Sequence, residues 1–368
     1  MPNLIFRYQV ESEPDQIAAR ADALLLEQTV ELSRAVTRDP WVRENILGEV
    51  LSIEEVGAGL YAVALAQPLR ATALDPAQFL NVAFGNSSLQ ADVTLVSIEP
   101  PDAFFATFKG PRFGVEGLRA KLGAPKRALT FTALKPMGLS PEAAASLAYD
   151  FAVAGLDIVK DDHGLADHEF CPFEKRVELC QRAVGKANAE TGGTTLYAPN
   201  LIGGPETLYR QLEFARAAGV GALLISPMLV GPAFLHELAA AETGLPILAH
   251  PAFGGALRVA PDALFGQVFK WFGADAVIYP HLGGRFSYSR ETCLSLAKRL
   301  RSAEGGLRPA FPAPAGGIKT SRVREVLEFY GADTLLLVGG SLLETGDVVG
   351  SARAFVAEAE KISRELVG

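Results

Sequence analysis

Cysteine is scarce in this chain: Cys171, Cys180 and Cys293 are the only three. Their number is odd and none forms a close C-x-x-C pair, so neither a disulfide framework nor a thiolate metal site is expected. A reduced, cytoplasmic setting is the expectation. Positive charge is short as well. Lys and Arg number 34 against 42 Asp and Glu, a formal net charge of −8, which argues against a nucleic-acid-binding surface. The same balance gives a phosphorylated ligand no long-range attraction, so local groups would have to hold it. No run approaches the roughly 18 apolar residues of a membrane-spanning helix. The opening stretch MPNLIFRYQVESEPD lacks a basic segment followed by an apolar one, so no signal peptide is expected. Low-complexity segments are absent.

What is present is a full complement of core-forming residues. Hydrophobic residues make up 49% of 368 and charged ones 21%, enough for two domains or one large α/β domain with an extension. The first ~120 residues alternate like half-buried strands at 3–11, 59–67 and 91–99. Segment 14–31 carries apolar residues at helical spacing, Ile17, Ala21, Leu24 and Leu25 among them. A small α+β domain with an antiparallel sheet is predicted over 1–122. From residue 128 short apolar strands recur at 128–136, 156–162, 195–202, 222–228, 246–250, 276–280, 309–317 and 334–341. Stretches such as SPEAAASLAYDFAVAG (140–155) and PETLYRQLEFARAAG (205–219) lie between them and end near Gly like ordinary helices. Continuous apolar strands alternating with helices imply a parallel sheet buried on both faces. Eight such units match a (β/α)8 TIM barrel, assigned to 123–368.

In such a barrel the residues just past each strand face the active-site mouth. Those positions hold Lys135; Lys160, Asp162 and His163; Asn200; His250; His281 and Arg285; Gly316 with Gly317; and Gly339 with Gly340. Glycine pairs after the last two strands suit a phosphate, because bare backbone lets N–H groups approach it, although most such pairs are only turns. Asp161 reads as a structural partner or an exposed residue. Asp167, His168 and Glu169 read as a solvated turn, and His236 as a helix-surface residue.

Several blocks are shared with one family. FGNSSL (84–89), FKGPRFGVEGLR (108–119), TALKPMGLSP (132–141), GLDIVKDDHG (155–164), PFEKRV (172–177), AHPAFGGA (249–256), PAGGIKT (314–320) and LLVGGSLLETGD (336–347) resemble the large subunit of ribulose-bisphosphate carboxylase. The resemblance is closer to the RuBisCO-like proteins, form IV of that family. It implies that Lys160 is carbamylated by CO2 and, with Asp162, holds Mg2+. It also implies that Lys135 assists proton transfer, that His250 is the fifth-strand histidine of the site, and that the glycine pairs bind a phosphate. Asn86 then corresponds to an asparagine donated by a partner subunit, so at least a homodimer is expected; by itself Asn86 could be a turn residue.

The departures from the carboxylases are equally informative. His163 stands where the family has its third metal ligand, a glutamate. The loop HLGGRFSYSR (281–290) has no lysine, and Pro251, Gly254 and Met137 replace carboxylase residues that hold a second phosphate or a second lysine. CO2 fixation is therefore not expected. The resemblance points to Mg2+-dependent enolisation and isomerisation of a singly phosphorylated keto-sugar such as 5-methylthioribulose 1-phosphate, with His163 and His281 available as acid/base groups. One alternative is a decarboxylase or hydrolase of a 3-oxo sugar-acid phosphate such as 3-oxo-isoapionate 4-phosphate, with Arg285 as carboxylate anchor. An alternative of another class is a catalytically inert sugar-phosphate-binding homologue.

Overall fold

Alternation in NLIFRYQVE puts Leu4, Phe6, Tyr8 and Val10 on one buried face of strand β1 (Asn3–Glu11). In the computed structural model of the protein, which describes residues 2–367, β1 is central in a four-stranded antiparallel sheet. Its partners are β2 (Glu49–Gly57), β3 (Leu60–Pro68) and β4 (Val93–Glu99), in the order β2-β3-β1-β4. The helix predicted at 14–31 is shorter, Ile17–Glu27, and buries the four apolar residues named above. It stops where the Gln28 side chain turns inward to donate to the Tyr8 hydroxyl (2.9 Å) and the Ala83 carbonyl (2.7 Å). β2 is absent from the sequence-based strands for a physical reason. It is an edge strand carrying Glu49, Glu54 and Glu55 and is mostly exposed, which is how natural edges avoid further pairing.

All eight predicted barrel strands are found. They are β5 (Leu129–Leu134), β6 (Ile158–Asp161), a third strand in two pieces, β7 (Leu196–Ala198) and β8 (Asn200–Leu201), then β9 (Leu223–Ile225), β10 (Ile247–Ala249), β11 (Ala276–Pro280), β12 (Phe311–Ala315) and β13 (Leu335–Val338). The third strand divides at Pro199, which has no N–H to give to a ladder. Its first piece pairs with β6 and its second with β9, so the parallel ladder runs β7-β6-β5-β13-β12-β11-β10-β9-β8. Leu129, Phe131, Ile158, Leu224, Leu248, Ile278, Phe311 and Leu335 fill the interior, with alanines between them.

The helix Gly114–Leu122 lies on the N-terminal side of the 122/123 division, yet its apolar face, Val115, Leu118 and Leu122, belongs to this interior cluster. It closes the end of the barrel from which the strands start. Asp275, just before β11, fixes it there by accepting from the N–H groups of Phe113 (2.7 Å) and Gly114 (2.8 Å), while its other oxygen accepts from Ile247 (2.8 Å). With that end closed, the opposite end is the open mouth. The antiparallel domain is joined to the barrel through Gln267, whose side chain pairs both main-chain groups of Ile98 (3.0 and 2.6 Å). Phe79, Phe104, Phe108, Trp271 and Phe272 pack across the same seam. Among the described residues no helix is long and apolar enough to cross a membrane.

Burial pushes the Asp275 carboxyl up to about 6, only partly offset by the three N–H groups it accepts from. A carboxyl raised on folding binds more protons in the folded state between about 4 and 6. Its contribution therefore favours the fold below that window and is lost as pH rises through it. Asp275→Asn, which cannot ionise, is expected to look worse against wild type at pH 4 than at pH 7, by up to roughly 3 kcal/mol. Urea unfolding of both proteins at the two pH values measures this; a pH-independent difference would contradict it.

Candidate active site at the barrel mouth

Strand alternation sorts the charged run KDD at the end of β6. Successive side chains point to opposite faces, so Lys160 and Asp162 enter the barrel mouth and Asp161 faces the surrounding helices. The contacts agree. Lys160 is 2% exposed, with its Nζ 5.9 Å from the centre of the interior Phe131 ring. Asp161 meets Arg176 of the helix Phe173–Thr191 at 3.0 Å, and both are fully buried. Arg176 also donates to the carbonyls of Ala166 (3.0 Å) and Cys171 (2.8 Å). The free oxygen of Asp161 accepts from the Tyr197 hydroxyl (2.7 Å). Asn200 completes the support. Its main-chain N–H donates to Asp161 (3.1 Å), and its side-chain amide donates to the carbonyls of His163 (3.1 Å) and Leu165 (3.0 Å). The loop carrying Asp162 and His163 is thus held from behind.

In front of it, Asp162 is the hub. Lys135, the first residue after β5, forms an ion pair with its Oδ2. Its Oδ1 accepts from His163 Nδ1 (2.8 Å) and from the Gly164 amide (3.1 Å). Lys135 and His163 are each less than half exposed, at 42% and 43%, whereas Asp162 is nearly covered, so the two basic groups form the surface seen from the mouth. The His163 ring stacks on His250, which ends the fifth barrel strand, with centroids 4.0 Å apart and planes at 12°. His250 Nδ1 accepts from the Ala252 amide (3.1 Å), which leaves the ring hydrogen of the neutral imidazole on Nε2.

The electrostatics follow from this crowding. Burial lowers Lys160 to about 8, helped by Lys135 and opposed by Asp162 and Asp161. Burial alone would raise Asp162. The His163 hydrogen bond, the Lys160 charge and the Lys135 pair outweigh it and hold the carboxyl far below the usual carboxylate range. His250 is pushed down to about 2 by burial and by the neighbouring Lys160 and His163, so it is neutral at any working pH.

The remaining predicted residues lie apart from this cluster in their contacts. His281 is 2% exposed and turns toward the helix Val323–Tyr330, its Nδ1 3.1 Å from the Tyr330 hydroxyl and its ring against Phe329 and Tyr330. The Arg285 guanidinium lies over the exposed Phe286 ring at 5.2 Å. Asn86 donates to Glu27 (3.0 Å) on the surface of the antiparallel domain. Gly316 and Gly317 both have positive φ, 94° and 72°, a shape that L side chains resist; the loop glycine Gly284 lies close against the Gly316 carbonyl. Gly339 and Gly340 border open space. Sequence reasoning missed Arg176 and Tyr197 as supports and Arg322, which donates to the Gly317 carbonyl (3.3 Å). The alternation of KDD was the available signal for the first of these.

Residues 114–263 match the family of the ribulose bisphosphate carboxylase large chain, catalytic domain. Ribulose bisphosphate carboxylase-like protein 1 of Rhodopseudomonas palustris is 47% identical over 356 residues, 96% of this chain and 97% of that one. The chain belongs to the RuBisCO large-chain family, among its RuBisCO-like proteins. The 5-methylthioribulose-1-phosphate isomerase of Rhodospirillum rubrum is 43% identical over 352 residues, 95% of this chain and 94% of that one. A crystal structure of a Rubisco-like protein from Rhodopseudomonas palustris superposes with a TM-score of 0.91 at 42% identity, covering 98% of each chain.

The donor chemistry of this RuBisCO-like site can be tested against a divalent cation. Among the described residues no three His, Cys, Asp or Glu side chains converge as a ligand set. Asp162 Oδ1 and His163 Nδ1 are 2.8 Å apart as a hydrogen-bonded pair, so the ring nitrogen is directed at the carboxylate and not at a position the two could share. Lys160, whose lowered basicity leaves part of it as free amine near neutral pH, becomes an oxygen donor if CO2 adds to it. Lys160 as carbamate and Asp162 are oxygen donors of the kind a divalent cation takes, and His163 would join them only if its ring left Asp162.

The rear support gives a prediction. Asp161→Ala leaves Arg176 buried without its counter-charge and should cost roughly 3–5 kcal/mol in urea unfolding. The double variant Asp161→Leu with Arg176→Met should recover much of that loss. A single variant as stable as wild type would show the pair to be dispensable.

Proposed function

We propose that this RuBisCO-like protein is an enzyme that moves a proton on the carbon beside the carbonyl of a singly phosphorylated keto-sugar, isomerising it, with 5-methylthioribulose 1-phosphate as the leading substrate. The observation that carries the reading is the convergence of Lys135, Lys160, Asp162, His163 and His250 at the ends of three barrel strands. The 43% identity to an isomerase of that substrate supports the choice of sugar.

The chain's own groups divide the work as follows. Lys160, lowered to about 8, is close enough to neutral to accept a proton or to take up CO2, and general base catalysis is most effective when the pKa lies near the working pH. Lys135, paired with Asp162, supplies an ammonium beside the reacting carbon that can give a proton back. His250 is neutral with its hydrogen on Nε2, and a neutral imidazole N–H can stabilise an oxygen as negative charge develops on it without itself ionising. Backbone N–H groups at Gly316, Gly317, Gly339 and Gly340 suit the single phosphate. What a divalent cation such as the family's Mg2+ would supply at Lys160 and Asp162 is Lewis-acid polarisation of the sugar oxygens. The reading includes a homodimer in which Asn86 serves the partner's mouth. Its exposed position beside Leu89, which is 86% exposed, is compatible with that role.

Deuterium exchange tests the proposal. Incubated in D2O with 5-methylthioribulose 1-phosphate, a divalent cation and bicarbonate, the protein should introduce deuterium next to the carbonyl and form the isomeric ketose, both visible by NMR. Lys135→Met and Lys160→Met should each slow this by roughly 10²–10⁴-fold. Absence of exchange with this and related phosphoketoses would refute the enzyme reading. Release of CO2 from a 3-oxo sugar-acid phosphate, without isomerisation, would replace isomerase by decarboxylase.

A further inference from the structure

Two glycine turns that follow neighbouring barrel strands meet backbone to backbone. β11 and β12 pair as far as Pro280 and Ala315, and the His281 N–H extends the ladder to the Ala315 carbonyl at 2.8 Å. Beyond that point a side-chain carbon at Gly284 would lie 2.6 Å from the Gly316 carbonyl oxygen, and one at Gly317 would lie 3.5 Å from the Gly284 Cα. No side chain fits at Gly284, because the Gly316 carbonyl faces the 281–290 loop there.

Arg322, at the entrance to the helix Val323–Tyr330, lies over the same seam. Its Nε and Nη2 donate to the two oxygens of Glu325 (2.9 and 2.8 Å), and its Nη1 donates to the Gly317 carbonyl (3.3 Å). The guanidinium also borders Gly283, where a side-chain carbon would lie 3.6 Å from Nη2. In a trans peptide the C=O and the following N–H point in opposite directions. The carbonyls of Gly316 and Gly317 are turned toward the loop and Arg322, so the N–H groups of Gly317 and Ile318 are turned away from them. Neither N–H has a hydrogen-bond partner among the described residues, although Ile318 is only 3% exposed. Successive free N–H groups in a turn make an anion-binding concavity.

We infer that Arg322 is a positioning residue for the substrate's phosphate: anchored by Glu325, it fixes the Gly317 carbonyl and so aims the Gly317 and Ile318 N–H groups at the anion. The inference rests on the reading that this glycine turn holds a phosphate. The guanidinium works from behind the turn, and its charge is already matched by Glu325. Two roles therefore separate by sign. If Arg322 acted only as a distant positive charge, removing the charge of Glu325 would tighten anion binding. For a positioning group the same change weakens binding, because the anchor of the guanidinium is loosened.

Inorganic phosphate is the probe, read at the Ile318 amide. In the full chain labelled with ¹⁵N-isoleucine, that resonance is assigned by its absence in Ile318→Val and followed by NMR as phosphate is added. Wild type should show a saturable shift. Arg322→Ala should weaken the affinity so measured by roughly 10–100-fold, and Glu325→Gln should weaken it by about threefold or more. Arg322→Lys, which keeps the charge without the planar fork, should recover only part of the loss. Unchanged affinity in Arg322→Ala, unchanged or tighter binding in Glu325→Gln, or full recovery in Arg322→Lys would overturn the inference. The two readings separate cleanly. An Ile318 amide that ignores phosphate in wild type refutes the phosphate assignment, and the inference with it. The expected phosphate effects without deuterium exchange on any phosphoketose refute the proposed reaction alone.

Discussion

A single buried ion pair between β6 and the helix behind it underlies the geometry of the mouth. Asp161 and Arg176 are both inaccessible to solvent, and such a pair is stable only when its remaining hydrogen-bonding groups are used. Tyr197 and the Asn200 amide use the carboxylate oxygens and the carbonyls of Ala166 and Cys171 use Arg176 Nη1, while Nη2 has no hydrogen-bond partner. The arrangement sets the rotation of β6 about its axis. Once Asp161 is fixed outward, its neighbours Lys160 and Asp162 can only point inward, and the desolvation of Lys160 follows. The lowered lysine, the depressed carboxyl and the neutral His250 are successive results of that one choice of face.

Most of the barrel was legible because its strands are buried on both sides and read as unbroken apolar runs. The same property made the ends of strands visible, and with them Lys135, Lys160, Asp162, His163 and His250. Legibility failed where burial and charge separate. β2 carries glutamates on an open edge, so its period is masked. The support given by Arg176 and Tyr197 joins residues 15 and 36 positions from Asp161, beyond any local pattern. The direction of His281 is decided by Tyr330 and Phe329, 49 and 48 residues downstream. Strand-end position says that such a residue can reach the mouth, not that its ring turns that way.

The charge distribution resolves an apparent conflict between an acidic chain and an anionic ligand. The net charge of −8 resides on a solvated surface whose ion pairs are mostly exposed and individually weak. At the mouth the balance reverses, with two lysines, the His163 ring and the neutral His250 around a single carboxylate. Local groups of this kind, together with backbone amides at glycine, can hold an anion in a protein that repels anions at a distance.

The break at Pro199 has a consequence for how the loop carrying Asp162 and His163 is held. The ladder between the second and third barrel strands ends at Lys160 and Ala198, and beyond it the chain pairs only with β9. Freed from β6, the Asn200 N–H is given to the Asp161 carboxylate and its side-chain amide to the loop that follows. On that side the barrel is stitched by side chains where main-chain rungs would otherwise run. Main-chain rungs are indifferent to sequence; side-chain stitches are not. The seam beside Asp161 is thus a part of the barrel wall whose closure is written residue by residue.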